Sequence, residues 1–232
     1  IYEDHVDLRN GGRRRTVLTV DYVRSGASND PYGHGSHVAG LIAGSGWSSL
    51  QAGMDYKGIA PAAHLLSLRV LDDYGRGLLS NVIAAIDFAI ANRLAYNIRV
   101  INLSLAAPPI DSYRDDPLCQ AVERATQAGL VVATAAGNFG IDPYGRKVYG
   151  GIASPGISPA AITVGAADTR GTNVRSDDVV APFSSRGATR SRWTDPATGG
   201  VVYDNLVKPD VVAPGSRIVS TTLLPEAAIA IA

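Results

Sequence analysis

Several scarcities narrow the possibilities for this 232-residue chain before any motif is read. It has one cysteine, Cys119, which excludes an internal disulfide framework and a cysteine-rich zinc site. It has no charge excess, with 21 Lys and Arg against 21 Asp and Glu, so nothing in its charge draws it to nucleic acid or an anionic membrane. No apolar run approaches the length of a membrane-spanning helix. Only 18% of residues are charged while 46% are apolar, which excludes a disordered tail or a fibrous repeat. What the chain does hold is 25 glycines and 13 prolines, the composition of many tight turns and close backbone approaches. The length fits one α/β domain with a core.

Short β-branched runs alternate with helical stretches, the signature of βαβ units and a mainly parallel sheet. Strands are predicted at 16–23, 65–71, 100–105, 130–134, 161–165 and 211–213, most of them near-continuous apolar runs suited to burial on both faces. A helix rich in small residues is predicted over 34–43. A second is expected with Ser80 as its N-cap and Val82, Ile83, Ile86, Phe88 and Ile90 recurring near period 3.6. A third opens at Asp116-Pro117 and stops before Gly129. The stretch 186–205 lacks periodicity and reads as a hairpin or surface insertion. No internal repeat or linker is evident, so 1–232 reads as a single partial domain. The chain opens at Ile1 without an initiator Met and closes on the apolar run Ala227 to Ala232, as if both ends were cut through a larger fold.

The most informative segment is Tyr32-Gly33-His34-Gly35-Ser36-His37-Val38-Ala39-Gly40. A histidine flanked by glycines at a helix start is accessible, and imidazole as a chemical group suits the taking and returning of a proton at neutral pH. The stretch 33–44 resembles the histidine motif of subtilisin-like serine peptidases, usually HGTHVAG. Val100 to Leu105, the run 133–140 (ATAAGNFG), 153–156 with 161–166, Phe183 to Gly187, and Lys208 to Gly215 resemble later landmarks of the same family in the same order. The fold implied is the α/β, three-layer subtilisin-like fold with a mainly parallel doubly wound sheet, truncated at both ends.

The resemblance implies that His34 is the general base of peptide-bond hydrolysis through an acyl-enzyme, and that Asn138 donates to the oxyanion. It implies that Ser104, Leu105 and Ala106 pair with substrate backbone, and that Gly75, Arg76 and Gly77 hold it further upstream. From the residues alone, 73–77 reads equally well as a glycine turn. No cofactor is required for this chemistry, and structural calcium is left open. Polypeptide substrates, export and a removable pro-segment are further implications, although no signal for the last two lies in these residues.

The family's triad runs Asp, His, Ser along the chain. Neither an Asp-Ser/Thr-Gly motif nor a Gly-Thr-Ser-Met-Ala motif occurs here. Asp4 and Asp7 sit after the aspartate's place, and Ser158 and Ser216 fall in other landmarks. The chain alone is therefore expected to lack triad chemistry and to fold poorly, with unpaired strands and an exposed apolar groove. The alternative reading is a dead pseudo-peptidase or binding module on the same fold. A metal site on His34 and His37, or a nucleophile at Cys119, has less in the sequence to support it.

Overall fold

The computed structural model describes residues 1–10, 12–24 and 30–221. The predicted exposure of the apolar run 227–232 lies outside the described residues. Two compact units divide the chain: Ile1–Ala85 with Val219–Ile231, and Ile86–Ile218. Among the described residues no helix is long and apolar enough to cross a membrane.

In the first unit a small antiparallel hairpin, β1 (Arg9–Asn10) and β2 (Arg13–Arg14), precedes β3 (Thr16–Asp21), which pairs in parallel with β4 (Leu65–Arg69). Between them lie α1 (His34–Ala43) and the short α2 (Trp47–Gln51), which carries no periodicity that the sequence could reveal. Small residues let α1 pack tightly. The hydroxyls of Ser220 and Thr221 donate to the carbonyls of His37 and Ser36, both at 2.6 Å, directly across Gly40. The buried Arg15 guanidinium ties three segments together by donating to the carbonyls of Asp7, Ala43 and Pro61.

Helix α3 (Leu79–Asn92) buries Val82, Ala85, Ile86 and Ala89, the i, i+3, i+4, i+7 face of an amphipathic helix. Ser80, expected as its cap, lies one residue inside the helix instead. The first turn is closed by the Leu78 carbonyl, which accepts from the Asn81 and Val82 N–H groups.

The second unit holds a sheet in the order β11-β7-β6-β5, formed by β5 (Val100–Leu103), β6 (Val131–Ala135), β7 (Ile162–Asp168) and β11 (Val211–Pro214). These four run parallel, and only the short β8 (Val179–Val180) pairs antiparallel with β7. The parallel strands expected from the sequence are thus distributed over two sheets, one in each unit. Burial alternates along the strands: Leu103, Val132, Thr134, Thr163 and Ala167 are buried, while Val100, Val131, Ile162 and Val211 are exposed. Helix α4 (Pro117–Gln127) packs on β6 and buries Leu118, Cys119, Ala121, Val122 and Ala125. Its start is as the sequence dictates: Asp116 caps the Leu118 and Cys119 N–H groups at 2.8 and 3.0 Å, with Pro117 in the first turn.

The insertion 186–205 contains the hairpin β9 (Arg192–Thr194) and β10 (Val201–Tyr203). Asp204 docks it by accepting from the Ser112 hydroxyl, the Tyr113 N–H and the Ser191 hydroxyl at 2.8, 3.2 and 2.6 Å. The Arg114 guanidinium lies 5.4 Å from the Tyr113 ring centroid and 5.5 Å from that of Trp193.

Candidate active site

Within its own unit, each residue given a catalytic or substrate-binding role comes after the carboxyl end of a parallel strand, the side of an open α/β sheet on which ligands bind. In the first unit, Gly75, Arg76 and Gly77 follow β4, and His34 opens α1 after β3. Gly33 stands at the helix N-cap with φ of 82°, a left-handed conformation that turns the backbone so that helix and imidazole begin together. Asp30 holds this bend. Its carboxylate accepts from the Ser36 N–H at 2.6 Å, the Ser36 hydroxyl at 2.8 Å and the Gly33 N–H at 3.2 Å, and Ser36 in turn accepts from the Tyr2 N–H at 2.7 Å. His34 is half-buried and Ser36 and His37 are buried, so α1 presents its first residue and hides its third and fourth.

The residues 72–77 form a tight turn, closed by an antiparallel bridge between Leu71 and Gly77. The Asp72 carboxylate accepts from the Tyr74 and Arg76 N–H groups, both at 2.9 Å, and these bonds hold it below the usual carboxylate range. Gly75 and Arg76 therefore sit at a turn tip, as the second reading of 73–77 has it, and Gly77 lies on the returning limb.

In the second unit, Ser104, Leu105 and Ala106 continue β5, and Asn138 follows β6, its parallel neighbour. Ala107 exchanges both backbone hydrogen bonds with Ser154 at 2.9 Å, so the segment after β5 stays extended. Ser104 and Leu105 are half-buried, while Ala106 and Asn138 are exposed. Ser185 clamps the backbone on both sides of Asn138: its N–H donates to the Gly137 carbonyl at 2.9 Å, and its hydroxyl accepts from the Phe139 N–H at 3.0 Å. Arg186 fastens the next turn, with its guanidinium donating to the carbonyls of Gly140, Pro182 and Ser184 at 2.9, 3.0 and 3.2 Å. This explains what Phe183 to Gly187 does locally: it fixes the 137–140 loop.

Other titratable groups have structural duties. Asp4 pairs with Arg9 and Arg14 at the surface. Asp7 is buried and accepts from the Ser48 N–H at 3.0 Å and the Ser45 hydroxyl at 3.1 Å. Burial alone would raise its carboxyl, but these bonds outweigh it and the net displacement is downward. Ser158 is buried, with its hydroxyl accepting from the Ala160 N–H at 3.2 Å. Burial, reinforced by Asp116, pushes the Cys119 thiol far above its ordinary value, which leaves no thiolate for nucleophilic chemistry. Among the described residues, no group of three or more His, Cys, Asp or Glu side chains gathers as a metal site would require.

Sequence reasoning missed Asp30, Tyr32 and Ser185. A signal for the first two was present, since Asp-x-Tyr-Gly recurs at 30–33, 72–75 and 142–145. Four residues are too short to register as a repeat of structural units.

Comparison with known proteins bears on the family and the fold. The subtilase family model matches residues 1–229. Serine protease AprX of Bacillus subtilis (strain 168) is 40% identical over 228 residues, covering 93% of this chain and 44% of that protein. Subtilisin E of the same organism is 35% identical over 208 residues, covering 86% and 43% respectively. The chain thus spans less than half the length of these two relatives. Among solved structures, a cold adapted subtilisin-like serine proteinase superposes with a TM-score of 0.65 at 29% identity, covering 96% of this chain and 62% of that one. Sphericase gives 0.62 at 32% identity over 82% and 55%. With the family model matching almost end to end and the α/β fold in agreement, the chain belongs to the subtilase family.

Proposed function

We propose that these residues form part of the catalytic domain of a serine endopeptidase that cleaves polypeptides through an acyl-enzyme. The observation that carries this reading is the entry to α1, where Gly33 and the Asp30 carboxylate set His34 at the first position of a helix whose third and fourth residues are buried. A general base needs an orientable imidazole with one accessible side, and this bend supplies it. In this reading His34 takes the proton of a serine and returns it to the leaving amine. Asn138, on a backbone fixed by Ser185, donates its side-chain amide to the tetrahedral oxyanion. Ser104, Leu105 and Ala106 receive substrate backbone beside the scissile bond, and Gly75, Arg76 and Gly77 receive it upstream.

The nucleophile and the orienting aspartate have no motif within these residues. The 232 residues by themselves are accordingly proposed to show no turnover, because the serine whose proton the base takes is not among their motifs. The reaction uses no cofactor in this scheme. Export of the gene product, and maturation by removal of a pro-segment, are proposed with it.

The test is made on the gene product as encoded, with a chromogenic peptide. Replacement His34→Ala is expected to abolish all but a residual activity. Asn138→Ala is expected to lower kcat by about 10²–10³, the loss known for the equivalent donor of a subtilisin. Unchanged turnover in either variant refutes the assignment. A cooperative melt with turnover by residues 1–232 alone refutes the proposed inactivity.

A further inference from the structure

The turn that leads into His34 is built three times in this chain. Asp30-Pro31-Tyr32-Gly33-His34, Asp72-Asp73-Tyr74-Gly75-Arg76 and Asp142-Pro143-Tyr144-Gly145-Arg146 place Asp, Tyr and Gly at the same positions. In each, the Gly N–H donates to the Asp carbonyl, at 2.9, 3.1 and 2.9 Å, and the Gly has a positive φ, of 82°, 75° and 77°. In the second and third, the fifth residue folds back over the ring: Arg76 lies 4.9 Å from the Tyr74 centroid and Arg146 lies 5.2 Å from that of Tyr144. Those two rings are otherwise open, 73% and 83% exposed.

The first copy differs where it matters for chemistry. Its fifth residue is His34, which stands at the head of α1 with its ring 6.5 Å from the Tyr32 ring and tilted by 52°. Tyr32 has a different neighbour. It lies on Gly75, at the tip of the second copy, so closely that a Cβ there would stand 2.6 Å from Cε1, 2.7 Å from Cζ and 3.0 Å from Cδ1. Its exposure falls to 52%. The two turns of the first unit are thus docked through one ring seated on one glycine.

We propose that Tyr32 is a positioning residue that couples the upstream substrate strand to the general base. The inference rests on the peptidase reading and deepens it. The five-residue frame from Asp30 to His34 is closed by a hydrogen bond at its start and by a helix at its end, so the Tyr32 ring and the imidazole are carried on one backbone frame. A peptide laid along Gly75–Gly77 bears on the tip that bears on Tyr32. Binding made remote from the scissile bond is thereby spent on orienting His34, which raises kcat for long substrates more than for short ones. A side chain at position 75 would unseat the ring.

The test compares the gene product as encoded with Tyr32→Ala, Tyr32→Phe, Gly75→Ala and the Tyr32→Ala/Gly75→Ala double variant. Substrates are a short ester and a series of peptides extended on the amino side of the cleaved bond. Tyr32→Ala is expected to lose kcat on the longest peptide roughly tenfold more than on the ester. Tyr32→Phe is expected to behave as the parent, because the ring face and not the hydroxyl makes the contact. Gly75→Ala is expected to reproduce the selective loss, and the double variant to be no worse than either single one. Equal losses on ester and peptide, a loss confined to KM, or additive effects in the double variant overturn the coupling. A parent that turns over neither substrate removes the peptidase reading and the coupling with it. A parent that turns over both, with no length-selective loss in the variants, refutes the coupling alone.

Discussion

Removal of Arg15 has an effect on the first unit that can be worked from its contacts. Its guanidinium is buried and donates to three carbonyls, those of Asp7, Ala43 and Pro61, drawn from the start of the chain, the end of α1 and the approach to β4. The Asp7 carbonyl also accepts from the Ser45 N–H at 2.8 Å and keeps that partner in a variant. Arg15→Met retains most of the apolar stem but leaves the Ala43 and Pro61 carbonyls without the charged donor. Ala43 is fully buried whereas Pro61 is exposed and its carbonyl can turn to water, so at about 1–3 kcal/mol for one buried acceptor deprived of its partner the expected loss is about 1–3 kcal/mol. Arg15→Lys, with one compact donor in place of a planar fork, is expected to recover part of this. The assay is urea unfolding of the gene product as encoded, with the fluorescence of Trp47 in α2, taken as the difference between the protein and its Trp47→Phe variant, reporting on the first unit. A fall in the midpoint with an unchanged m-value marks a loss of stability without a change in the surface exposed. A shift worth less than about 0.5 kcal/mol for Arg15→Met, inside the range of ordinary surface substitutions, refutes the reasoning.

Acid should loosen the same unit. The Asp7 carboxyl is held below its ordinary value, so its stabilisation is fully present above the unfolded value and is lost as pH falls through the folded one. The Asp7→Asn variant should therefore differ from the parent in melting temperature at neutral pH, with the difference shrinking below about pH 4. A difference that stays constant to lower pH refutes this. Neighbouring His5 accepts from the Asp7 N–H through Nδ1 at 3.1 Å, and burial lowers its own value, so its protonation weakens the fold in the same direction as pH falls below the unfolded imidazole value of about 6.5. Gly40→Ala should destabilise by about 1–3 kcal/mol despite the better helix propensity of alanine, because the new methyl would stand 2.5 Å from the Thr221 hydroxyl and drive 220–221 off α1. A melting temperature at or above that of the parent refutes the contact. Cys119 should resist alkylation by iodoacetamide in the native state and react only on unfolding, and stoichiometric native labelling contradicts its burial.

The parts of the fold that could be read in advance were those fixed by local chemistry. The β-branched runs became β3 to β7 and β11, and the Asp116-Pro117 start of α4 was legible because the cap and the proline act within one turn. Helix α2 was not legible. A helix of five residues has no period, and its place is set by Asp7, some forty positions away, which caps Ser48. Ser80 misled because a serine before an apolar run is a plausible cap, whereas here the Leu78 carbonyl starts the helix. His34 and Asn138 were found by resemblance of their segments. Of the groups that fix them, Asp30 acts within a few residues, on Gly33 and Ser36, while Ser185 acts across space and reaches Phe139 from 46 positions away.

The strand order of the second unit also sets a timetable. Strand β7 lies between β6 and β11, and Val164 pairs with Val211 in parallel, so no tight turn can zip the two together. Their contact waits for a long loop to close, the slow kind of step in folding. During synthesis at roughly 5–20 residues per second, residues 169–210 take about 2–8 s to emerge after β7 is complete. For those seconds the edge of β7 that β11 will cover stands open, long enough for a second nascent chain to find it. Crowding on the ribosome during those seconds is a hazard that this strand order builds in.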